Sequence, residues 1–271
     1  MSKTQPSAES GHILAPPKEL ADSGALVIGG TAGIGLATAR QLAEAGVPRI
    51  VLVGRNVARG EQAKSLVEKS GAQVSFIQGD PIDPAAAKSI AAQAEILLNG
   101  IDILVCSTAA DVKPELFSKI ATEDIATIYT DLALPSMHMA STVMPMMRQR
   151  RHGVIVNLAS DAGKTATPGE AVIGAAKAGI VMFTRTIAIE GKRDGIRANV
   201  LTPSLVNETG STERITSDGF SAKLFAKAAQ QAHLGVPVAD DIAALAVFLC
   251  RPESGRLTGQ AISVNGGISA A

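Results

Sequence analysis

Short runs of aliphatic and β-branched residues alternate along the chain with longer stretches of helical character. Seven such runs predict strands at 25–28, 49–53, 74–78, 103–106, 154–158, 197–201 and 261–264. Most are apolar at every position, as parallel strands covered on both faces must be, rather than alternating as strands with one wet face do. Between most of them lie segments long enough for a helix, and Gly46, Gly71 and Gly100 each follow one at a place suited to a C-terminal cap. Thr122, followed by Glu123 and Asp124, predicts a helix start with acids at its positive end. Strand–helix alternation carried through seven strands predicts an α/β fold, a single-domain, doubly wound parallel sheet flanked by helices. The expected division is a flexible tail over 1–22, rich in Ser, Pro and Gly, and one folded domain over 23–271. The longest irregular stretch runs from 203 to about 218, after the sixth strand, where such folds often carry a mobile lid.

Composition narrows the function classes. Apolar residues make up 46% and aromatics only 3%, with no Trp and one Tyr, so the core is built of Ala, Val, Ile, Leu and Gly. Lys and Arg (25) balance Asp and Glu (25), which leaves no electrostatic footprint for nucleic acid or an anionic membrane. Cys106 and Cys250 sit in apolar runs and read as buried hydrophobes of a reducing compartment. The four histidines show no ligand spacing, so no metal site is expected. No signal-peptide pattern and no uncharged apolar run of about 18 residues is present. A cytoplasmic protein is the expectation.

The first strand runs into Gly29-Gly30-Thr31-Ala32-Gly33-Ile34-Gly35, and a helix follows. Glycines there let backbone approach a pyrophosphate, and the helix N-terminus offers it N–H groups and a positive dipole end. Placed after the first strand of a βαβ unit, the turn is a strong dinucleotide signal and makes the predicted fold a Rossmann fold. The spacing Gly-x-x-x-Gly-x-Gly resembles the cofactor turn of the short-chain dehydrogenase/reductase family. The resemblance extends from Ala25 to Asn265-Gly266-Gly267 and includes Asp80 after the third strand, Lys177 before an Ala-Gly-Ile helix, Asn199 and Pro203. It implies cofactor contacts at Gly29, Thr31, Gly33, Ile34 and Gly35. Further contacts are implied at Arg55, Asn56, Asp80, Pro81, Ser107, Lys177, Pro203 and Val206. The second strand ends Val53-Gly54-Arg55-Asn56. An NAD enzyme of this type places a carboxylate near Gly54, whereas here Arg55 offers a forked cation to a 2′-phosphate, so NADP(H) is favoured over NAD(H).

The family's chemistry uses Asn, Ser, Tyr and Lys. Ser160 and Lys177 fall at the positions of the serine and lysine. Four residues before Lys177, where the tyrosine is expected, stands Ile173, and Asp131 stands at the position of the asparagine. After Pro203 the expected Gly is Ser204, and the expected Thr is Glu208. Three readings follow. In an atypical oxidoreductase, Ser160 orients a carbonyl while Lys177, or a water held by Lys177 and Asp131, supplies the proton. A non-redox enzyme on the same fold (isomerase, cyclase or dehydratase) would use Asp131 or Asp161. A pseudoenzyme would only bind nucleotide. The single Tyr129 lies two residues before Asp131, about 200° round a helix, and reads as packing. Glu170 and Asp161 read as solvated loop carboxylates, His138 as packing, and the cluster Met137, Met139, Met144, Met146 and Met147 as an interface. The resemblance implies a homotetramer, or else a homodimer, through the helices around 131–148 and 172–190. The expected substrate is a small or medium apolar carbonyl compound, bound by the loop 161–168 and the segment 203–220.

Overall fold

The computed structural model describes residues 17–216 and 219–270. All seven predicted strands form: β1 Gly24–Ile28, β2 Arg49–Gly54, β3 Gln73–Gln78, β4 Ile103–Cys106, β5 Gly153–Leu158, β6 Ile196–Leu201 and β7 Ala261–Ile262. They make one parallel sheet in the order β3-β2-β1-β4-β5-β6-β7. The strands β1, β4, β5 and β6 are buried throughout, whereas the edge strand β3 exposes Gln73 and Gln78. Alternate residues of β1 enter two cores. Ala25 and Val27 pack beneath α1 (Gly33–Glu44), α2 (Val57–Glu68) and α8 (Ala239–Cys250). Leu26 and Ile28 pack beneath α3 (Pro84–Leu98), α4 (Asp124–Arg150) and α5 (Ala171–Gly191). The doubly wound Rossmann fold follows from that division.

Local chemistry sets the helix ends. Asp83 accepts hydrogen bonds from the amides of Ala85 and Ala86 at the start of α3, ahead of Pro84. The Asp241 carboxylate accepts from the Val238 amide at the start of α8. Gly46, Gly71 and Gly100 do end helical stretches, with φ of 99°, 99° and 112°. Thr122 does not cap α4, which starts at Asp124 with no side-chain cap.

The 171–194 segment is the one helix, among the described residues, long and apolar enough to cross a membrane (mean hydropathy 1.5). One face of it instead fills the core: Ile180 and Val181 pack on Ala159 and Val200, and Ile187 and Ala188 on Ile155 and Ile196.

Three expectations need correction. Residues 17–22, expected to be tail, are held: Lys18 pairs with Asp102 at 2.8 Å and Leu20 is buried, while 1–16 lie outside the described residues. The stretch after β6 contains a short helix, α6 (Gly210–Thr216), ahead of α7 (Gly219–Gln231); Asp218 is outside the described residues. The methionines of α4 belong to the protein's own core: Met139, Met144 and Met147 are buried and Met146 packs against them.

Candidate functional site

Strand order reverses between β1 and β4, and a doubly wound sheet opens a crevice at the carboxyl ends of its strands at such a point. A cavity of about 800 Å³ lies there, within the ~300–1,000 Å³ of small-molecule sites. Its wall takes residues from the end of every strand from β1 to β6, among them Ile28, Val53, Gly79, Ser107, Leu158 and Pro203.

The Gly turn forms its floor. The Ser107 amide donates to the Ile28 carbonyl at 2.9 Å, drawing the ends of β1 and β4 together. A Cβ on Gly29 would overlap the Ser107 carbonyl, and Gly29 itself has φ 73°, a region where side chains are strained. A Cβ on Gly35 would overlap the Gly29 carbonyl, so that glycine lets α1 pack onto its own turn. The first turn of α1 has no side-chain cap, unlike those of α2 and α3. Gly33 and Ile34 line the cavity. An uncapped N-terminus beside a cradle that a Cβ would fill suits an anion such as a pyrophosphate.

At the end of β2 no carboxylate stands near the cavity. A Cβ on Gly54 would lie 2.7 Å from Cγ2 of Thr31, whose side chain fills that space. Arg55 and Arg59 line the wall instead, and Arg55 Nη1 lies 3.6 Å from Asp80 Oδ2. That pair is largely exposed and weak, so Arg55 is available to a stronger anion. Asn56 is not in the wall: its Oδ1 accepts the Arg59 amide at 2.9 Å and caps α2.

The opposite end of the cavity holds the reactive groups. Ser160 follows β5, and its Oγ accepts the Ala162 amide at 3.3 Å, which leaves the hydroxyl hydrogen to donate. Lys177 is buried on α5. Burial pulls its pKa down to about 8, opposed by Glu170, so Glu170 rather than Asp131 is the carboxylate that supports its charge. Asp131 on α4 and Ile173 on α5 line the same cavity. Glu170 and Asp161 are not solvated loop groups. Asp161 is 5% exposed, accepts from Ser269 Oγ at 2.7 Å, and donates its amide to the Pro203 carbonyl. Burial, with Asp161 adding to it, pushes Glu170 up to about 7 against the pull of Lys177.

Residues 29–269 match the family profile described as enoyl-(acyl carrier protein) reductase. The chain belongs to the short-chain dehydrogenase/reductase family. It is 32% identical over 252 residues to nodulation protein G of Rhizobium sp. (strain N33), covering 93% of this chain and 98% of that protein. It is 30% identical over 254 residues to the 3-oxoacyl-(acyl-carrier-protein) reductase FabG of Chlamydia trachomatis serovar D, covering 92% and 98%. A solved dehydrogenase/reductase from Sinorhizobium meliloti 1021 superposes with a TM-score of 0.81 at 26% identity, over 93% of this chain and 97% of that one. Levodione reductase superposes with a TM-score of 0.85 over 92% and 98%; at 24% identity it shares the fold.

In this short-chain dehydrogenase/reductase the cavity gathers Gly29, Thr31, Gly33, Ile34, Arg55 and Asp80 with Pro81, Ser107, Pro203 and Val206. Tyr129 stays outside it, its hydroxyl against Gly179 on α5. His138 is also outside, with Nδ1 2.9 Å from the Pro81 carbonyl.

Sequence reasoning missed Thr209. Glu208 adopts a left-handed φ of 59°, which turns the chain so that the next residue is the buried one. Thr209 faces the Gly turn, with its Cγ2 3.6 Å from where a Cβ of Gly33 would lie. A threonine one place beyond the expected position was the only available signal.

Proposed function

We propose that this short-chain dehydrogenase/reductase is an NADP(H)-dependent oxidoreductase acting on a carbonyl or alcohol group, with Ile173 where the family carries its tyrosine. One observation supports the cofactor most: β2 ends in Gly54 backed by Thr31, with Arg55 and Arg59 on the wall where a carboxylate would select NAD(H). The cofactor supplies or accepts the hydride. The turn Gly29–Gly35 and the start of α1 would hold its pyrophosphate, joined by Thr209. Arg55 would leave Asp80 for the 2′-phosphate. Lys177 would hold the nicotinamide ribose, and Ser160 would donate to the substrate oxygen.

Around these polar groups the cavity wall carries aliphatic and aromatic side chains. Ile173, Val112, Ile215, Leu224, Phe225 and Ile268 line the cavity, which supports an apolar carbonyl compound as substrate. A homotetramer forms part of the same reading. Exposed Met182 and Ile189 on α5 and Phe248 on α8 support it, since isolated helices facing water normally carry charge.

The test is carbonyl-dependent consumption of NADPH across a panel of aliphatic ketones and diketones. Turnover is expected, and Ser160→Ala should slow it by about 10²-fold, the effect of removing one hydrogen bond to a developing oxyanion. Turnover of substrates with no change in nicotinamide absorbance would instead favour non-redox chemistry.

A further inference from the structure

Glu170 is the ionisable group that the family's chemistry does not account for. It precedes Ile173 by three residues and Lys177 by seven at the start of α5. At 100° per residue those positions lie within about 60° of one another, on one face of the helix. All three line the cavity that Ser160 also lines. The charged groups acting on Glu170 are Asp161, from the turn after β5, and Lys177 on its own helix. Asp131 on α4, Asp111 in the loop after β4 and Lys227 on α7 line the same cavity. Lys164, which follows Asp161, donates to the Ser263 hydroxyl at 2.7 Å.

We propose that Glu170 is the proton donor and acceptor at the substrate oxygen, the role that Ile173 has no group to fill. The inference rests on the oxidoreductase reading above. In reduction, a C–H bond forms at the carbonyl carbon with the hydride that the reduced nicotinamide supplies. The C=O π pair moves onto oxygen, which Ser160 holds, and that oxygen takes the proton of the Glu170 carboxyl. Solvent then reprotonates the carboxylate. In alcohol oxidation the carboxylate takes the hydroxyl proton as the hydride leaves for the oxidised nicotinamide. A donor and acceptor in one residue works best when its pKa lies near the working pH, and burial places Glu170 at about 7. Lys177, whose pKa burial lowers to about 8 against the support of Glu170, is assigned to the nicotinamide ribose in this reading, and that leaves Glu170 for the substrate oxygen.

Glu170→Gln keeps the size of the side chain and removes the proton. With NADPH bound and a ketone substrate, kcat is expected to fall by about 10²–10⁴-fold, the range for a general acid. NADPH affinity should hold within about threefold, and the limb near pH 7 of the kcat profile should vanish. A second readout needs no turnover. The infrared spectrum of the wild-type protein should show a protonated carboxyl band that titrates near pH 7 and is missing from Glu170→Gln. Wild-type kcat in a folded Glu170→Gln protein would overturn the inference. So would a Glu170 carboxyl that titrates in the ordinary acidic range, whether or not the variant folds or a substrate is found. Loss of NADPH binding by the wild-type protein would defeat the oxidoreductase reading itself, which is distinct from either result.

Discussion

Replacing Lys177 by Met is expected to stabilise the protein at neutral pH while removing its activity. The amine is buried on α5, and burial pulls its pKa from 10.5 to about 8. The unfolded chain therefore binds that proton more tightly than the folded one. The cost of folding around an ammonium is complete below about pH 8 and disappears as pH rises to 10.5. At about 1.4 kcal/mol per pKa unit, the side chain costs on the order of 3 kcal/mol at pH 7, a figure that already includes the support of Glu170. Met is apolar and of similar length. Lys177→Met should gain about 2–3 kcal/mol at pH 7, a Tm rise of roughly 4–10 °C for a domain of this size. The pH course identifies the cause: wild-type stability should climb between pH 8 and 10.5, and the variant's should not. Loss of the cation that would hold the ribose should cost turnover about 10²–10³-fold, the scale of removing one positioned electrostatic group. Thermal unfolding from pH 6 to 10.5, beside an activity assay, checks both parts. A destabilised variant with unchanged turnover would mean that Lys177 is a structural group. A residue that weakens the fold where it serves the chemistry is the usual signature of a functional site.

The second large effect is expected at Gly35. A Cβ there meets the carbonyl of Gly29, which is backbone and cannot swing aside. Gly29 is fixed in turn, since its amide donates to the Val53 carbonyl at 3.0 Å and its own Cβ position is occupied by the Ser107 carbonyl. Gly35→Ala must therefore push α1 off its turn or open the junction of β1 and β4. Overpacking of this kind costs about 1–3 kcal/mol. It should also abolish measurable nicotinamide nucleotide binding, because the amides of the turn no longer converge. Gly46→Ala is the control. It has φ 99° and nothing within 4 Å of the added Cβ, so it carries only left-handed backbone strain of about 1–2 kcal/mol. Both variants should lose stability, and only Gly35→Ala should lose the nucleotide. Retained binding in a folded Gly35→Ala protein would place the nucleotide elsewhere.

The strands and the Gly turn were legible because their information is local. A run such as Leu26-Val27-Ile28 has one favourable place in a parallel sheet, and the following glycines restrict what can approach them. What escaped the sequence depends on residues distant in the chain. Asp161 read as a loop carboxylate because its burial comes from the C-terminal segment, where Ser269 reaches it across 108 positions, and Glu170 did so because the groups acting on it, Asp161 and Lys177, meet it only in the fold. Thr209 was hidden by one left-handed residue, Glu208, which shifts the register of the segment after Pro203. Asn56 is polar and next to Arg55, but its oxygen caps α2; a cap and a ligand have the same local sequence. The α4 methionines looked like an interface because an amphipathic stripe does not say whether the surface it meets belongs to the same chain.

The crevice between β1 and β4 is expected to take NADP(H) in preference to NAD(H). The most direct test of that preference is a titration of the wild-type protein and Arg55→Glu with NADPH and with NADH, following nicotinamide fluorescence; with no Trp, the protein's own emission is low. The wild-type protein is expected to bind NADPH at least tenfold more tightly than NADH, and Arg55→Glu to lose that preference while keeping NADH. Equal affinities in the wild-type protein would rule out that preference, and no binding of either nucleotide would rule out the crevice as a nicotinamide site.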